Sequence, residues 1–266
     1  MRLGLKDGLK DAALTGAALV SRSESARRGA FNAMRLRQPG MAELLERPDL
    51  RFLASTFHRR AWSRAQILQD IWVLFELEDL HGGFFVEFGA TNGLDNSNTW
   101  LLEKRFGWTG ILAEPNPAWH EALAVNRGCH LDTRCVYATS GATLTFLAAD
   151  DPELSGLAAS SGHDHNAGRR AAGQAFDVAT VSLNDLLKAH GAPRRIDYMS
   201  VDTEGSEFQI LEQFDFDAFQ VQLFSIEHNH TDNEARIDRL MLDRGYERRF
   251  PEFSQWDAWY VRKPAN

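Results

Sequence analysis

The chain has 266 residues, of which 44% are hydrophobic and 25% are charged, and its formal net charge is −8. This composition is typical of a soluble globular protein and unlike that of a disordered chain. The acidic balance argues against nucleic acid as a partner, because each neutralised phosphate needs a cation. The length suits one α/β domain with an extension better than two full domains.

The first 63 or so residues are helical in character and form a predicted N-terminal extension. Five arginines give this segment a local positive charge: Arg22, Arg27, Arg28, Arg35 and Arg37. A solvated helical face is one interpretation, and a weak membrane-surface contact or a surface for an anionic acceptor is the other. The apolar stretch from Ala12 to Val20 is too short to span a bilayer.

The two cysteines, Cys129 and Cys135, match neither a redox pair nor a zinc site in their spacing. We therefore expect two reduced thiols, which is typical of a cytoplasmic protein.

Hydrophobic periodicity divides the rest of the chain into alternating helices and strands. Helices are predicted over residues 64–80, 94–106, 117–126, 183–190, 206–214 and 235–244. Strands are predicted over residues 84–90, 110–114, 134–138, 142–148, 176–183, 196–202, 219–229, 246–250 and 256–262. This alternation predicts a mainly parallel sheet with helices on both faces, closed by an antiparallel hairpin.

Residues 150–175 interrupt this pattern with a long polar loop. Loops of this length within a domain are usually functional or mobile. The group His163-Asp164-His165 has metal-binding side chains, although a solvated loop is the more common arrangement.

The turn after the first predicted strand carries the strongest local signal for a ligand site. Glu87, Gly89 and Gly93 form the string E-x-G-x-x-x-G, which differs from the GxGxxG of dinucleotide binders. A carboxylate at Glu87 would repel a pyrophosphate but suits the cationic methionine end of S-adenosylmethionine. Glu114 ends the next strand, where an acidic side chain accepts hydrogen bonds from a ribose diol.

The string FFVEFGATNGLDNSNTWLLEKRFGWTGILAEPNP, residues 84–117, resembles the FkbM family of methyltransferases. Gln69-Asp70, Asn126-Arg127 and the segment from Ser200 to Glu207 also match the family pattern. The resemblance covers about residues 64–262, which sets a predicted methyltransferase domain over 64–266. It implies the class I methyltransferase fold, a Rossmann-like seven-stranded sheet whose last strand runs antiparallel.

The resemblance also implies S-adenosylmethionine as methyl donor and, typically, a hydroxyl as acceptor. The implied cofactor site comprises Glu87, Gly89, Ala90, Gly93, Asn98, Glu114, Pro115, Tyr137 and Ala138. Glu87 and the glycines would hold the methionine end, Glu114 the ribose, and the backbone near Tyr137 and Ala138 the adenine. No acidic residue follows Ala138 directly, so this position offers no acidic side chain for specific recognition of the adenine amine.

An alcohol becomes a good nucleophile only when a general base or a metal removes its proton. Asp202 and Glu227 end two predicted strands, and with Glu204 or Asn229 they offer oxygen ligands that suit Mg²⁺. Without a metal, His228 is the predicted base, because its proton affinity lies near neutral pH. The alternative is a structural histidine.

Three functions remain open from the sequence. The first is O-methylation of a hydroxyl on a sugar, glycan or secondary metabolite. The second is a nicotinamide-dependent oxidoreductase, against which the GxxxG spacing and Glu87 both argue. The third is a non-catalytic binding module on a methyltransferase scaffold.

Overall fold

The structure, a computed structural model, describes residues 24, 25, 28, 46–148, 155–158 and 174–264. The chain divides into two compact units, Met1–Ala54 and Ser55–Asn266. Most of the arginine-rich segment and most of the predicted loop over 150–175, including His163 and His165, lie outside the described residues. The domain boundary between residues 63 and 64 stays a prediction. None of the described helices is long and apolar enough to cross a bilayer.

The described helices are α1 Pro48–Arg59, α2 Gln69–Glu76, α3 Trp100–Phe106, α4 Pro117–Asn126, α5 Leu183–Ala189, α6 Glu207–Glu212 and α7 Asn233–Asp243. The described strands are β1 Phe84–Phe88, β2 Thr109–Ala113, β3 His130–Asp132, β4 Cys135–Tyr137, β5 Thr143–Ala148, β6 Gly156–Leu157, β7 Gln174–Ser182, β8 Arg195–Val201, β9 Gln220–Glu227, β10 Tyr246–Arg249 and β11 Asp257–Arg262.

Seven strands form the main sheet, in the order β10-β11-β9-β8-β1-β2-β3. The pairs from β9 to β3 are parallel, whereas β11 is antiparallel to both β9 and β10. This topology confirms the predicted class I methyltransferase fold with its antiparallel last strand. The central strands are mainly apolar, as in Val86, Met199 and Phe224, because helices cover both faces of a parallel sheet.

A second, four-stranded sheet has the order β4-β7-β5-β6. The strand predicted over residues 134–138 is present as β4, which pairs with β7 in this second sheet. The preceding strand β3, which pairs with β2 in the main sheet, was not predicted. The Asp132 carboxylate accepts hydrogen bonds from the backbone N–H and the Nε of Arg134, each at 2.9 Å. These bonds turn the chain between the two strands.

The helix predicted over residues 64–80 is shorter in the structure, where α2 begins at Gln69. The Asp70 carboxylate accepts hydrogen bonds from Ser63 Oγ at 2.6 Å and from the Arg64 N–H at 3.2 Å. Leu68 has a left-handed φ of 67°. Backbone N–H groups before Gln69 therefore donate to side-chain acceptors in place of helical carbonyls.

Candidate functional site

A cavity lies beyond the carboxyl ends of β1, β2, β8 and β9. It contains about 1340 Å³ of space between atoms, part of which is open solvent. The strand order reverses here, since β1 connects to β2 on one side and pairs with β8 on the other. This is the position at which open α/β sheets bind ligands.

Gly89 forms the tight turn where β1 meets the cavity. Its φ is +80°, and an added Cβ would lie only 2.2 Å from the carbonyl oxygen of Asp202. The turn therefore needs both the left-handed backbone and the missing side chain of glycine. Ala90 follows it, is buried and also lines the cavity.

Glu87 is buried and its carboxylate faces an internal network. It accepts hydrogen bonds from the Asn98 N–H at 2.8 Å, from Ser97 Oγ at 3.1 Å and from Thr99 Oγ1 at 2.5 Å. Arg127 Nη1 lies 3.5 Å from Glu87 Oε2. Glu87 is not among the described residues that line the cavity. Its predicted contact with the methionine end stays a prediction.

Arg127 completes this network from the end of α4, and its side chain is fully buried. Its guanidinium donates to Glu103 Oε2 at 2.6 Å, Thr99 Oγ1 at 2.7 Å and Ser97 Oγ at 3.0 Å. We call the buried charges of Glu87, Arg127 and Glu103 the charge clamp. It fixes the segment 97–99, which ends the loop before α3.

Gly93 belongs with this network and not with the cavity wall. Its φ is +72°, and an added Cβ would lie 2.5 Å from Leu123 Cδ1 and 2.7 Å from Arg127 Cγ. The glycine therefore allows the loop to pack against α4. Gly93 is not among the described residues that line the cavity, and its predicted contact with the cofactor stays a prediction.

Asn98 does line the cavity, in agreement with its predicted place beside the cofactor. Its Nδ2 donates to Ser200 Oγ at 2.9 Å. Its Oδ1 is buried and has no hydrogen-bond partner among the described residues. A buried acceptor of this kind needs a partner, which a bound ligand can supply.

Glu114 lies at the end of β2 and is buried in the cavity wall next to Pro115. One carboxylate oxygen accepts the Asn116 N–H at 2.7 Å and the other accepts the Thr91 N–H at 2.9 Å. Burial raises the pKa of Glu114 to about 7, against these two hydrogen bonds. Each oxygen keeps a further lone pair, so the carboxylate can also accept from a diol.

The predicted adenine neighbours lie just off the cavity. Cys135 and Val136 line it, whereas Tyr137 and Ala138 are not among its described lining residues. Phe146 and Leu157, from the second sheet, add apolar wall that the sequence reasoning missed. An amphipathic strand pattern does not reveal which sheet a strand joins, so no local signal identifies these side chains as a wall.

Acidic side chains crowd the other end of the cavity. One oxygen from each of Asp202, Glu204 and Glu227 can be chosen so that all three lie within 4.8 Å of one another. Loss of hydration, and then repulsion from Glu204 and other neighbouring carboxylates, raises the pKa of Asp202 well above its usual value. Burial and the charge of Asp202 do the same for Glu227. The sequence therefore predicted this cluster correctly as a set of neighbours.

Asp257, at the start of β11, also belongs to the acidic end of the cavity. It was not predicted as a site residue from the sequence. Its Oδ2 accepts a hydrogen bond from Gln69 Nε2 at 2.9 Å, and both residues line the cavity. Burial raises the pKa of Asp257 to about 7. The antiparallel β11 brings its first residue beside Glu227, a placement that only the sheet topology reveals.

His228 lies behind the wall and not in it, which does not support its predicted role as the base. Its Nδ1 accepts the His230 N–H at 3.1 Å, and its Nε2 lies 3.3 Å from Arg248 Nη2. Burial lowers its pKa, and nearby Arg248 adds to this. Its neighbour Asn229 lines the cavity instead, because successive residues of a strand end face opposite sides.

Backbone strain also concentrates around the cavity. Four non-glycine lining residues have a positive φ, namely Thr91, Asn96, Glu204 and Asn229. Such residues cost about 1–3 kcal/mol each and cluster at ligand sites, where the surroundings hold them in place.

Comparisons with known proteins agree with this geometry. The sequence model of the methyltransferase FkbM domain matches residues 87–248, more than half of the chain. No curated protein matches the chain.

Two solved structures are similar to it in part. The precorrin-6y C5,15-methyltransferase from Geobacter metallireducens GS-15 is 10% identical, with a TM-score of 0.41 over 73% of this chain and 87% of that chain. The human methyltransferase 10 domain containing protein is 11% identical, with a TM-score of 0.35 over 82% of this chain and 97% of that chain. At these scores the fold assignment depends on the sheet topology itself.

Proposed function

Because the chain belongs to the FkbM family of methyltransferases, we propose that it transfers the methyl group of S-adenosylmethionine to a hydroxyl of a sugar, glycan or secondary metabolite. The observation that carries this proposal is the chemistry of the cavity. Its described lining contains five carboxylates, Glu114, Asp202, Glu204, Glu227 and Asp257, and no lysine, arginine or histidine.

The lining fits the cofactor. When bound, S-adenosylmethionine supplies an electrophilic methyl carbon on a cationic sulfonium. Glu114 would accept hydrogen bonds from the ribose hydroxyls, and the Asn98 Oδ1 would accept from the ammonium of the methionine end. Ala90 and Pro115 would pack against the cofactor, with Cys135 and Val136 in the place expected for the adenine. The charge clamp holds Asn98 in position through its backbone N–H.

Asp202 and Glu227 are suited to take the proton from an acceptor hydroxyl. Their carboxylates are neighbours in the same cluster, and burial together with the surrounding carboxylates raises both pKa values. A carboxylate with a raised pKa is a stronger base than an ordinary one. The pair therefore replaces His228 as the proposed base.

A divalent ion held by Asp202, Glu204 and Glu227 is the second route to the same deprotonation. Three oxygens at mutual distances within 4.8 Å suit a hard cation such as Mg²⁺, and Asn229 lies in the same wall. If this route operates, EDTA abolishes turnover and Mg²⁺ restores it. Turnover that is insensitive to EDTA assigns the deprotonation to the carboxyl pair alone.

The two other functions are less well supported by the cavity. A nicotinamide dinucleotide brings a pyrophosphate, and five carboxylates without a described basic residue would repel it. A binding module has no need for strained, desolvated carboxyl groups at the strand ends. Binding of a nicotinamide cofactor in place of S-adenosylmethionine would revive the first alternative.

The direct test is a transfer assay with methyl-labelled donor against a panel of sugars, glycolipids and secondary metabolites. We expect an O-methyl product, identified by NMR of the labelled carbon, and at least about a hundredfold loss of turnover in Asp202→Asn. The exposed Glu252→Gln is the control and should keep wild-type turnover. A methyl group found on nitrogen or carbon, or donor binding without transfer to any acceptor, would contradict the proposal.

A further inference from the structure

The charge of the cavity is strongly uneven. Four of the five described lining carboxylates lie at one end, at the tips of β8, β9 and β11, and Glu114 lies at the other. Basic side chains close to the cavity are engaged elsewhere: Arg127 in the charge clamp, and Arg248 with Glu234 and Asp238 at 2.8 and 2.9 Å. The described wall of the acidic end therefore contains no basic residue.

One carboxylate at this end also has an unused acceptor. Glu227 is only 8% exposed, and its Oε2 is buried without a hydrogen-bond partner among the described residues. The buried Oδ1 of Asn98 has none either, and it lines the same cavity. Two buried acceptors that face a cavity indicate a ligand with positive charge or with donors at this place.

A sulfonium differs from a thioether mainly in its charge. It has no N–H or O–H, so its charge is recognised through the electrostatic environment and not through a conventional hydrogen bond. The donor S-adenosylmethionine carries this charge, and the product S-adenosylhomocysteine has lost it together with the methyl group.

We propose that the acidic end formed by Asp202, Glu204, Glu227 and Asp257 makes the site bind S-adenosylmethionine more tightly than S-adenosylhomocysteine, so that the spent cofactor leaves readily. This inference rests on the proposed methyl transfer. It adds a charge-based preference between the substrate and the product form of the cofactor.

Calorimetric titration in the presence of EDTA tests the preference without an acceptor. We expect S-adenosylmethionine to bind at least about tenfold more tightly than S-adenosylhomocysteine. Sinefungin, in which a protonated amine replaces the methylated sulfonium, should bind as tightly as the donor. Equal or tighter binding of S-adenosylhomocysteine would overturn the inference and leave the proposed methyl transfer intact, whereas binding of none of the three would overturn both.

Charge-removing variants locate the cause. Glu227→Gln and Glu204→Gln should each reduce the ratio of the two dissociation constants several-fold, mainly by weakening the binding of S-adenosylmethionine. Glu252→Gln, an exposed position with the same chemical change, should leave the ratio unchanged. A preference that persists in both cavity variants, each folded by circular dichroism, would assign it to another part of the molecule and contradict the proposal.

Discussion

Glu87 and Arg127 serve the site from behind its wall. Their charges are buried and satisfied by each other, by Glu103 and by the hydroxyls of Ser97 and Thr99. A buried charge is tolerated only with such partners. We therefore expect the pair to affect cofactor binding through the position of Asn98, which lines the cavity, and not through a contact of its own.

Removal of one partner should expose the cost of this arrangement. Arg127→Met leaves the buried Glu87 without its counter-charge and leaves Glu103 paired with Lys104 alone. We expect the free energy of unfolding to fall by about 3–5 kcal/mol. Urea denaturation measures this change. Arg195→Met is the control, because the Arg195 side chain in its ion pair with Asp197 is 64% exposed and should contribute about 0–1 kcal/mol. Equal losses in the two variants would show that the charge clamp is not a buried ion pair.

The raised pKa of Asp257 predicts how stability depends on pH. Its value rises from 3.8 to about 7 on folding, so the folded state holds this proton more tightly than the unfolded state. The contribution of protonated Asp257 to the free energy of unfolding is therefore fully present below about pH 3.8. It is lost as the pH rises through about 7. Asp257→Asn should therefore raise the melting temperature more at pH 8 than at pH 5, in the absence of ligand. An equal gain in melting temperature at pH 5 and pH 8 would contradict the raised pKa of Asp257.

Single residues differ in how far the sequence reveals their roles. Glu114, Gly89 and Asp202 were predicted because strand ends and turn glycines have local signatures. The contact of Glu87 with Arg127 joins residues 40 positions apart in the sequence, and the pairing of Asp257 with Gln69 joins residues 188 positions apart. No local pattern contains such contacts. The sequence therefore revealed neither the partner of Glu87 nor the place of Asp257 at the cavity.

At the scale of elements, the turn after β1 decides whether the cavity can form. Gly89→Ala would place a Cβ 2.2 Å from the Asp202 carbonyl oxygen in a left-handed backbone. We expect loss of S-adenosylmethionine binding and a loss of stability larger than strain alone explains. Calorimetry and urea denaturation report the two effects.

Gly141→Ala separates the clash from the strain. Gly141 has a nearly equal φ of +79°, but an added Cβ would meet no atom within 4 Å. It should cost only the left-handed strain, about 1–2 kcal/mol, and keep cofactor binding. If Gly89→Ala binds the cofactor as the wild type does, the site does not need the close approach of the chain after β1 to the chain after β8.

The helix with a local start signal was predicted with its bounds, and the helices whose starts are shaped by side-chain acceptors were not. The helix over 117–126 was predicted with its bounds, since Pro117 and the Asn116 cap, which accepts the Ala118 N–H at 3.1 Å, are local signals. The helix predicted over 94–106 begins only at Trp100. The preceding loop is held by the carboxylate of Glu87, which lies on another element.

At the scale of the molecule, the net charge of −8 is concentrated in part at one place. Part of the acidic excess faces a cavity at the reversal point of the sheet, where it suits a cationic donor. The sequence predicted the fold class, because alternating apolar runs and helices leave few topologies for a parallel sheet. The second sheet was not predicted, since its pairings depend on crossovers that a linear pattern does not show.

The central claim is that Glu114 and the acidic strand ends hold S-adenosylmethionine. Its most direct test is the calorimetric dissociation constant for this cofactor in the wild-type protein, in Glu114→Ala and in Glu121→Ala, whose side chain is exposed on α4. We predict that Glu114→Ala weakens binding by about 1.5–3 kcal/mol through the loss of charge-assisted hydrogen bonds, while Glu121→Ala binds as the wild type does. Identical affinities in all three proteins, or no binding by the wild type, would contradict the account.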